Sequence, residues 1–141
     1  MSHNKKRFLS LFLCIVLTCC MIVPASARAS EYFHRTYVTA TNIGSGKLSI
    51  FIDLAATGTM QEVGATKIIV YEKKSSGKYE SVYTFTREAY PSLITYNRLS
   101  HVAYVTYYGD PGKSYYVSAA FYAKNASGSQ TLWRDSSVVN T

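Results

Sequence analysis

Cysteine is nearly absent from this chain of 141 residues, and its three copies, Cys14, Cys19 and Cys20, all lie within the first twenty positions. The remainder therefore has no thiol, no disulfide and no cysteine-based metal site. Proline and tryptophan are scarce as well, with three copies and one copy. Stability must then come from the packing of an apolar core.

Clusters of one charge are also missing from most of the chain. Fifteen Lys and Arg stand against eight Asp and Glu, a formal net charge of +7. Beyond residue 27 twelve basic residues face eight acidic ones, so the net charge falls to +4, and the longest basic run there is Lys73-Lys74. A mildly basic surface without a basic stripe predicts no nucleic-acid partner.

The N-terminal segment has the pattern of a secretory signal peptide. A basic cluster at 5–7 precedes a sixteen-residue apolar run at 8–23, and Ala25-Ser26-Ala27 supplies the small residues of a cleavage site. We expect a signal peptide over 1–27 and a single secreted, extracellular or cell-surface domain over 28–141. Because a spanning helix needs roughly 18 to 20 apolar residues, we expect no membrane association after cleavage. An uncleaved anchor and a lipoprotein are the alternatives.

Residue alternation in the remaining 114 positions is that of β-strands. Leu48, Ile50, Ile52 and Leu54 alternate with polar residues, and Phe51 is the exception on the outer face. We expect strands over 33–41, 47–54, 66–73, 79–86, 101–108, 113–124 and 131–139. The segment 66–73 is apolar on both faces, which predicts a central position in its sheet.

Two segments between the expected strands contain residues that predict their local structure. Thr59 and Glu62 have the spacing of a capping box, and Gly64 can end a helical turn, so one short helical turn is expected at Thr59–Val63. The segment 87–98 contains Pro91, which cannot donate to a strand ladder, and is expected to be a surface connection with at most one helical turn.

Seven short strands with turn signals about every ten residues predict an all-β domain, an antiparallel immunoglobulin-like β-sandwich. A small barrel shares this signature and is the alternative fold.

The segment Pro111-Gly112-Lys113-Ser114-Tyr115 resembles the entry to strand F in fibronectin type III domains. The resemblance implies that Tyr115 closes the core at a strand corner and bonds back to upstream backbone, with Pro111 and Gly112 forming the turn. It also implies that residues 117, 119 and 121 face inward. Gly109 stands where such domains usually carry a large apolar residue.

Two longer segments, TGTMQEVGATKIIVYEKKSSG and GKSYYVSAAFYAK, carry a second resemblance. They resemble an uncharacterised family of short secreted single-domain proteins of Gram-positive bacteria. The likeness spans nearly all of 28–141 but brings no functional residues with it.

Signals for catalysis are weak. His34 and His101 are the histidines of the domain and lie on expected strands, without a nucleophile elbow or metal-ligand spacing. The carboxylates have structural explanations, such as Glu62 as a helix cap and Asp110 in a turn. We therefore predict no enzyme activity, no catalytic residue, no metal and no cofactor.

Binding is the function class that the sequence favours. If Tyr115 faces inward, Tyr116 and Tyr122 face outward, since neighbours along a strand alternate. Together with Tyr71 or Trp133 they would form an aromatic surface for a glycan, a cell-wall polymer or a protein. Exposed cross-strand aromatic pairs that only stabilise the sheet are the competing interpretation.

The sequence thus predicts a secreted, monomeric, non-enzymatic binding module. A small secreted hydrolase of envelope polymers, or a purely structural or inhibitor module, are the alternatives.

Overall fold

The computed structural model describes residues 30–141, so the predicted signal peptide at 1–27 lies outside the described residues. Seven strands make up nearly all of this part of the chain, and a 3₁₀ turn at Pro91–Leu93 joins the third to the fourth. The strands are β1 (Phe33–Asn42), β2 (Lys47–Lys73), β3 (Tyr79–Thr86), β4 (Ile94–Tyr108), β5 (Ser114–Asn125), β6 (Gly128–Asp135) and β7 (Val139–Asn140).

The long strand β2 organises the sheet, because every other strand except β6 and β7 pairs with it, always antiparallel. Along one side of β2 lie β1 and then β5, and along the other side lie β4 and then β3. The strand order is β1-β2-β5-β6, with β7 paired to β5. All seven strands therefore belong to one hydrogen-bonded sheet.

This sheet curls so that the two ends of β2 face each other across the core. The register of β2 with β4 shifts between Ala55 and Met60, and its register with β5 shifts between Ala65 and Lys67. Such irregularities bend a strand and increase its twist. The curl brings β1 against β5 and β6, where Ser30 Oγ donates to Gln130 Oε1 at 2.7 Å.

The core lies inside the curl. Both halves of β2 and the inward positions of β1, β3, β4, β5 and the 3₁₀ turn supply it. Its largest fully buried side chains are Tyr115, Phe85, Phe121, Leu48, Ile50, Ile52, Leu54, Ile68 and Leu93. The alternation at 48–54 and the inward series 115, 117, 119 and 121 agree with this burial. Packing of alternate residues from facing parts of the sheet is what stabilises an all-β domain without disulfides.

The predicted helical turn at Thr59–Val63 is wrong, because β2 runs through this segment without interruption. Met60 and Glu62 pair with β4, so the backbone groups are satisfied by the ladder rather than by a helix. Gly64 does have a positive φ of 154°, but it lies in β2, where a Cβ would meet the carbonyl oxygen of Leu93.

Two further boundaries differ from the prediction. The connection expected over 87–98 ends earlier, because β4 already begins at Ile94 and pairs with Gly64. The last strand, expected over 131–139, is divided into β6 and the short β7, and Ser136 bridges the gap by bonding to Val117 of β5. The strand at 79–86 is confirmed, and so is the central position of 66–73, which pairs with β3 on one side and β5 on the other.

The predicted all-β, antiparallel class is therefore confirmed, with one curled sheet as its architecture. Within residues 30–141 no helix has the length and apolar character to cross a bilayer.

Candidate functional site

The predicted binding residues lie on the outer surface of the four strands β3, β2, β5 and β6, which we call the outer face. On β2 its residues alternate with the core positions Ile68 and Val70. The residues of the outer face include Lys67, Tyr71, Tyr116, Ser118, Ala120, Tyr122 and Trp133.

Two tyrosines of the outer face are stacked on each other. The ring centroids of Tyr71 and Tyr116 are 4.8 Å apart with planes inclined by only 6°, and Tyr79 meets Tyr116 edge-on at 5.0 Å. Because 4.8 Å is also the spacing between paired strands, the rings stand side by side with their faces turned toward each other. Burial by these neighbours raises the pKa of Tyr116. The stack stabilises the sheet and shows mainly ring edges to solvent.

The indole of Trp133 is more open, with 44% of the residue exposed. Directly opposite it lies Ala120, whose other neighbour across the ladder is Lys67. The Nζ of Lys67 is 5.7 Å from the indole centroid, within the range of a cation–π contact. Ala120 is fully buried although it belongs to the outward series. The large neighbours on both sides thus cover the small residue and form an aromatic and cationic surface above it.

Tyr122 lies away from the Tyr71–Tyr116 stack. Tyr122 is six positions after Tyr116, a distance of about 20 Å along an extended strand. The guanidinium of Arg87 lies 5.6 Å from the Tyr122 ring centroid and occupies one of its faces. The structure thus brings Tyr71 together with Tyr116, and Trp133 together with Lys67, but it does not gather all four predicted residues into one patch.

A shallow pocket of about 330 Å³ lies next to Tyr122 and contains two carboxylates. Arg87 binds both, with Nη1 3.1 Å from Glu62 Oε2 and Nε 3.3 Å from Glu88 Oε1. Glu62 also accepts from Lys124 Nζ at 3.4 Å, so its predicted role as a helix cap is wrong. A hydrogen bond from its own backbone amide, together with the contacts to Thr86 and Arg87, lowers the pKa of Glu88. The lowered pKa of Glu88 does not suit a general acid, which requires a raised pKa.

Tyr115 lies at the turn between β4 and β5 and is fully buried. Its hydroxyl accepts from the backbone amide of Asp110 at 3.0 Å and lies 3.4 Å from Glu72 Oε2. A Cβ on Gly109 would lie only 2.6 Å from that hydroxyl, so the ring of Tyr115 occupies the space of the missing side chain. Pro111 and Gly112 are exposed in the turn itself.

Glu72 completes this corner as a nearly buried carboxylate. It accepts from Lys74 Nζ at 2.9 Å. That hydrogen bond and the charge of Lys74 outweigh desolvation and lower the pKa of Glu72. Glu72 alternates with outward residues of β2 in the same series as Ile68 and Val70, so its side chain faces the core.

Two groups of residues were missed by the sequence analysis. Lys67 was detectable, because it lies four residues before Tyr71 on a predicted strand and so shares its face. A set of tyrosines between β3 and β4 was not detectable, because its members come from strands that are separate in the sequence.

The two histidines lie apart from any cluster of ligands. His101 Nε2 is 2.7 Å from the carbonyl oxygen of Ser92. Among residues 30–141 no three His, Asp or Glu side chains converge as metal ligands.

No protein-family model matches the chain, and the search of curated proteins found no relative. The resemblances to fibronectin type III domains and to the family of short secreted proteins therefore stay predictions.

Proposed function

We propose that this protein is a secreted, non-enzymatic module that binds a surface glycan or cell-wall polymer through its outer face. The observation that carries the proposal is the exposed indole of Trp133, with Lys67 beside its ring and the buried methyl group of Ala120 next to it. An open aromatic ring on the outer surface of the sheet gives a sugar ring a surface to stack on, and the ammonium group can donate to hydroxyl or acidic groups.

An extended ligand fits this surface better than a compact one. Trp133 pairs with Ala120, four residues from Tyr116, so the indole and the Tyr71–Tyr116 stack are about 13 Å apart along the strand direction. Ser118 lies between them and is nearly buried. A polymer could contact the indole and the edges of the stack at once, whereas a single sugar could contact only one of them.

The lysines of the outer face favour a ligand with acidic groups near Lys67 and Lys73. Asp135, opposite Ser118, instead favours a neutral or cationic group between the indole and the stack. Lys67 and Lys73 point outward on β2, and within the described part of the chain neither is in an ion pair. Unpaired ammonium groups beside aromatic rings attract anionic polymers at low ionic strength. Binding should therefore weaken as salt is added.

A relationship to immunoglobulin-like sandwiches is part of the same proposal. Its support is the buried Tyr115, whose hydroxyl bonds back to the Asp110 backbone as in a tyrosine corner.

The hydrolase alternative would have to use Glu62 and Glu88. Both are held by Arg87, and the lowered pKa of Glu88 opposes its use as a proton donor. Loss of wall-polymer turnover in a Glu88→Gln variant would promote this alternative over simple binding.

The proposal is tested by glycan-array screening and sedimentation with purified cell-wall polymers. Trp133→Ala should lower the affinity about tenfold or more, as expected for an aromatic residue at the centre of a binding surface. Tyr104→Ala is the matched control, because Tyr104 is also exposed on a strand but lies beside Phe51 of the N-terminal half of β2, away from Trp133 and Lys67. Both variants should stay folded, since surface substitutions usually change stability by about 0.5 kcal/mol or less.

The proposal fails if the wild-type protein retains no glycan or wall polymer. It also fails if Trp133→Ala binds as well as the wild type, as the Tyr104→Ala control is expected to do. Equal loss in both variants would place the site elsewhere and would also contradict it.

A further inference from the structure

A second aromatic site lies on the other side of β2, where β3 and β4 follow one another along the same edge. The curl of β2 brings the end of β4 back over β3, and a cleft of about 190 Å³ remains between them. The cleft is lined by Tyr83, Phe85, Tyr90, Thr106, Tyr107 and Tyr108. We call it the tyrosine cleft, and it shares no residue with the outer face.

The rings of the tyrosine cleft are tilted against each other. Tyr83 and Tyr107 have centroids 5.9 Å apart and planes inclined by 42°, and Phe85 meets Tyr90 edge-on at 68°. Unlike the parallel stack on the outer face, these rings pack against each other at an angle, and the free space is the narrow cleft that they line. A small, compact ring therefore fits the cleft better than the broad face of a sugar.

The polar groups of the cleft are hydroxyls. The oxygens of Tyr83 and Tyr90 are 2.9 Å apart, so one hydroxyl donates to the other and one proton stays available for a ligand. That contact raises the pKa of Tyr90, and burial raises the pKa of Tyr107, so these hydroxyls keep their protons at neutral pH. Among residues 30–141 no carboxylate or amide side chain lines the cleft itself, although Glu72, Asp110 and Lys74 are close enough to act on the Tyr107 hydroxyl. A ligand that presents carbonyl oxygens can accept the hydroxyl proton that the Tyr83–Tyr90 pair leaves free.

Prolyl peptide bonds have this property, because their carbonyls accept and their nitrogens carry no proton. In a polyproline II helix these carbonyls are free of internal hydrogen bonds, and aromatic-lined grooves can recognise such a segment. The cleft volume is below the roughly 300 to 1,000 Å³ of small-molecule pockets. It suits one or two inserted rings of a longer chain.

The charge at the rim of the cleft indicates which charge the ligand should carry next to the inserted segment. The Nζ of Lys47 lies 5.5 Å from the centroid of the Tyr108 ring. Lys47 forms no ion pair with any residue from 30 to 141. A carboxylate next to the prolines would complement this lysine.

We propose that the tyrosine cleft binds a proline-rich peptide segment of another protein in the polyproline II conformation, with an acidic residue of that segment beside Lys47. Recognition then uses packing of proline rings against the tyrosines that line the cleft, hydroxyl donation to peptide carbonyls and one charge contact at the rim.

Fluorescence anisotropy with labelled synthetic peptides tests this site. The probe is octaproline preceded by two glutamates, and the comparison peptides are octaproline preceded by two lysines and a glycine–serine peptide preceded by two glutamates. The acidic octaproline should bind saturably below about 1 mM. The lysine peptide should bind several-fold more weakly, and the glycine–serine peptide should not saturate.

Exposed residues provide variants that keep the fold. Tyr83→Ala and Tyr108→Ala should each lower the affinity for the acidic octaproline about tenfold. Tyr104→Ala is the control, since it is on the same strand as Tyr108 and similarly exposed, at 67% against 72%. Trp133→Ala should leave peptide binding unchanged, which separates this site from the outer face.

The inference is overturned if the acidic octaproline shows no saturation, or if the glycine–serine peptide binds equally well, because charge alone would then explain binding. It is also overturned if Tyr83→Ala and Tyr108→Ala bind like the wild type, or if a wall polymer competes the peptide away in the Trp133→Ala variant.

Discussion

Removing the hydroxyl of Tyr115 tests the corner on which the curled sheet depends. In Tyr115→Phe the amide of Asp110 loses its acceptor at 3.0 Å. The hydroxyl proton has two candidate acceptors, Glu72 Oε2 and the Asp110 carbonyl oxygen, both at 3.4 Å. Only one of them is used at a time, so about two hydrogen bonds are lost, one of them well formed.

The loss in free energy of unfolding depends on what replaces those hydrogen bonds in the variant. A net intramolecular hydrogen bond contributes about 0.5 to 1.5 kcal/mol, and a buried group left without a partner costs about 1 to 3 kcal/mol. Asp110 is exposed, so water can reach its amide, and Glu72 keeps Lys74. We expect a loss of about 1 to 2 kcal/mol, which lowers the melting temperature by roughly 4 to 8 °C for a domain of this size.

The assay is urea unfolding followed by far-ultraviolet circular dichroism, with Tyr116→Phe as the matched control. Tyr116 is the next residue, and its hydroxyl has no hydrogen-bond partner among the described residues. Its loss should change stability by about 0.5 kcal/mol or less. Equal midpoints for the two variants, with unchanged slopes, would refute the corner as a source of stability.

Three more substitutions probe the same region and the bend of β2. Gly109→Ala should cost about 1 to 3 kcal/mol in urea unfolding, because the added methyl group would lie 2.6 Å from the Tyr115 hydroxyl. Gly64→Ala should cost about 2 kcal/mol or more, since φ is positive and a neighbouring carbonyl occupies the Cβ position. Glu72→Gln should flatten the pH dependence of stability. The folded pKa of Glu72 is lowered from 4.5, so its contribution is complete above that value and is lost as the pH falls through the folded pKa. Unfolding curves from about pH 7 down to pH 3 should therefore converge for the wild type and Glu72→Gln at the acidic end, and a constant gap would contradict the assignment.

Strand identity could be predicted where the signal is local. The alternation at 48–54 and the inward series from Tyr115 to Phe121 follow from a period of two, which a buried face imposes whatever the partner strand is. The segment 59–63 could not be predicted in this way. Its capping-box spacing is equally compatible with a strand, and the choice depends on β4 and Arg87, which lie more than twenty residues away.

The length of β2 was beyond prediction for a related reason. Strands usually have 3 to 10 residues, so glycines at 58 and 64 are normally read as breaks. Here β2 continues for 27 residues because the bends at those positions let one strand serve both halves of the sheet. The candidate outer-face residues followed from alternation, whereas the tyrosine cleft exists only because the curl brings β4 over β3.

The two proposed sites should respond differently to ligand in a stability measurement. Trp133 is exposed and lies beside Lys67 and Ala120, so Trp133→Ala should leave the unfolding midpoint of the free protein nearly unchanged while it reduces the stabilisation by ligand. The cleft has Phe85 as a nearly buried wall, and Tyr107 packs against Tyr115 with ring centroids 5.6 Å apart. A peptide at one hundred times its dissociation constant should stabilise the protein by about 2.7 kcal/mol. Because Tyr107 lines the cleft and packs against Tyr115, this stabilisation should depend on an intact corner. In Tyr115→Phe the loosened corner should weaken peptide binding but leave polymer binding on the outer face intact, because no residue is shared between the two sites.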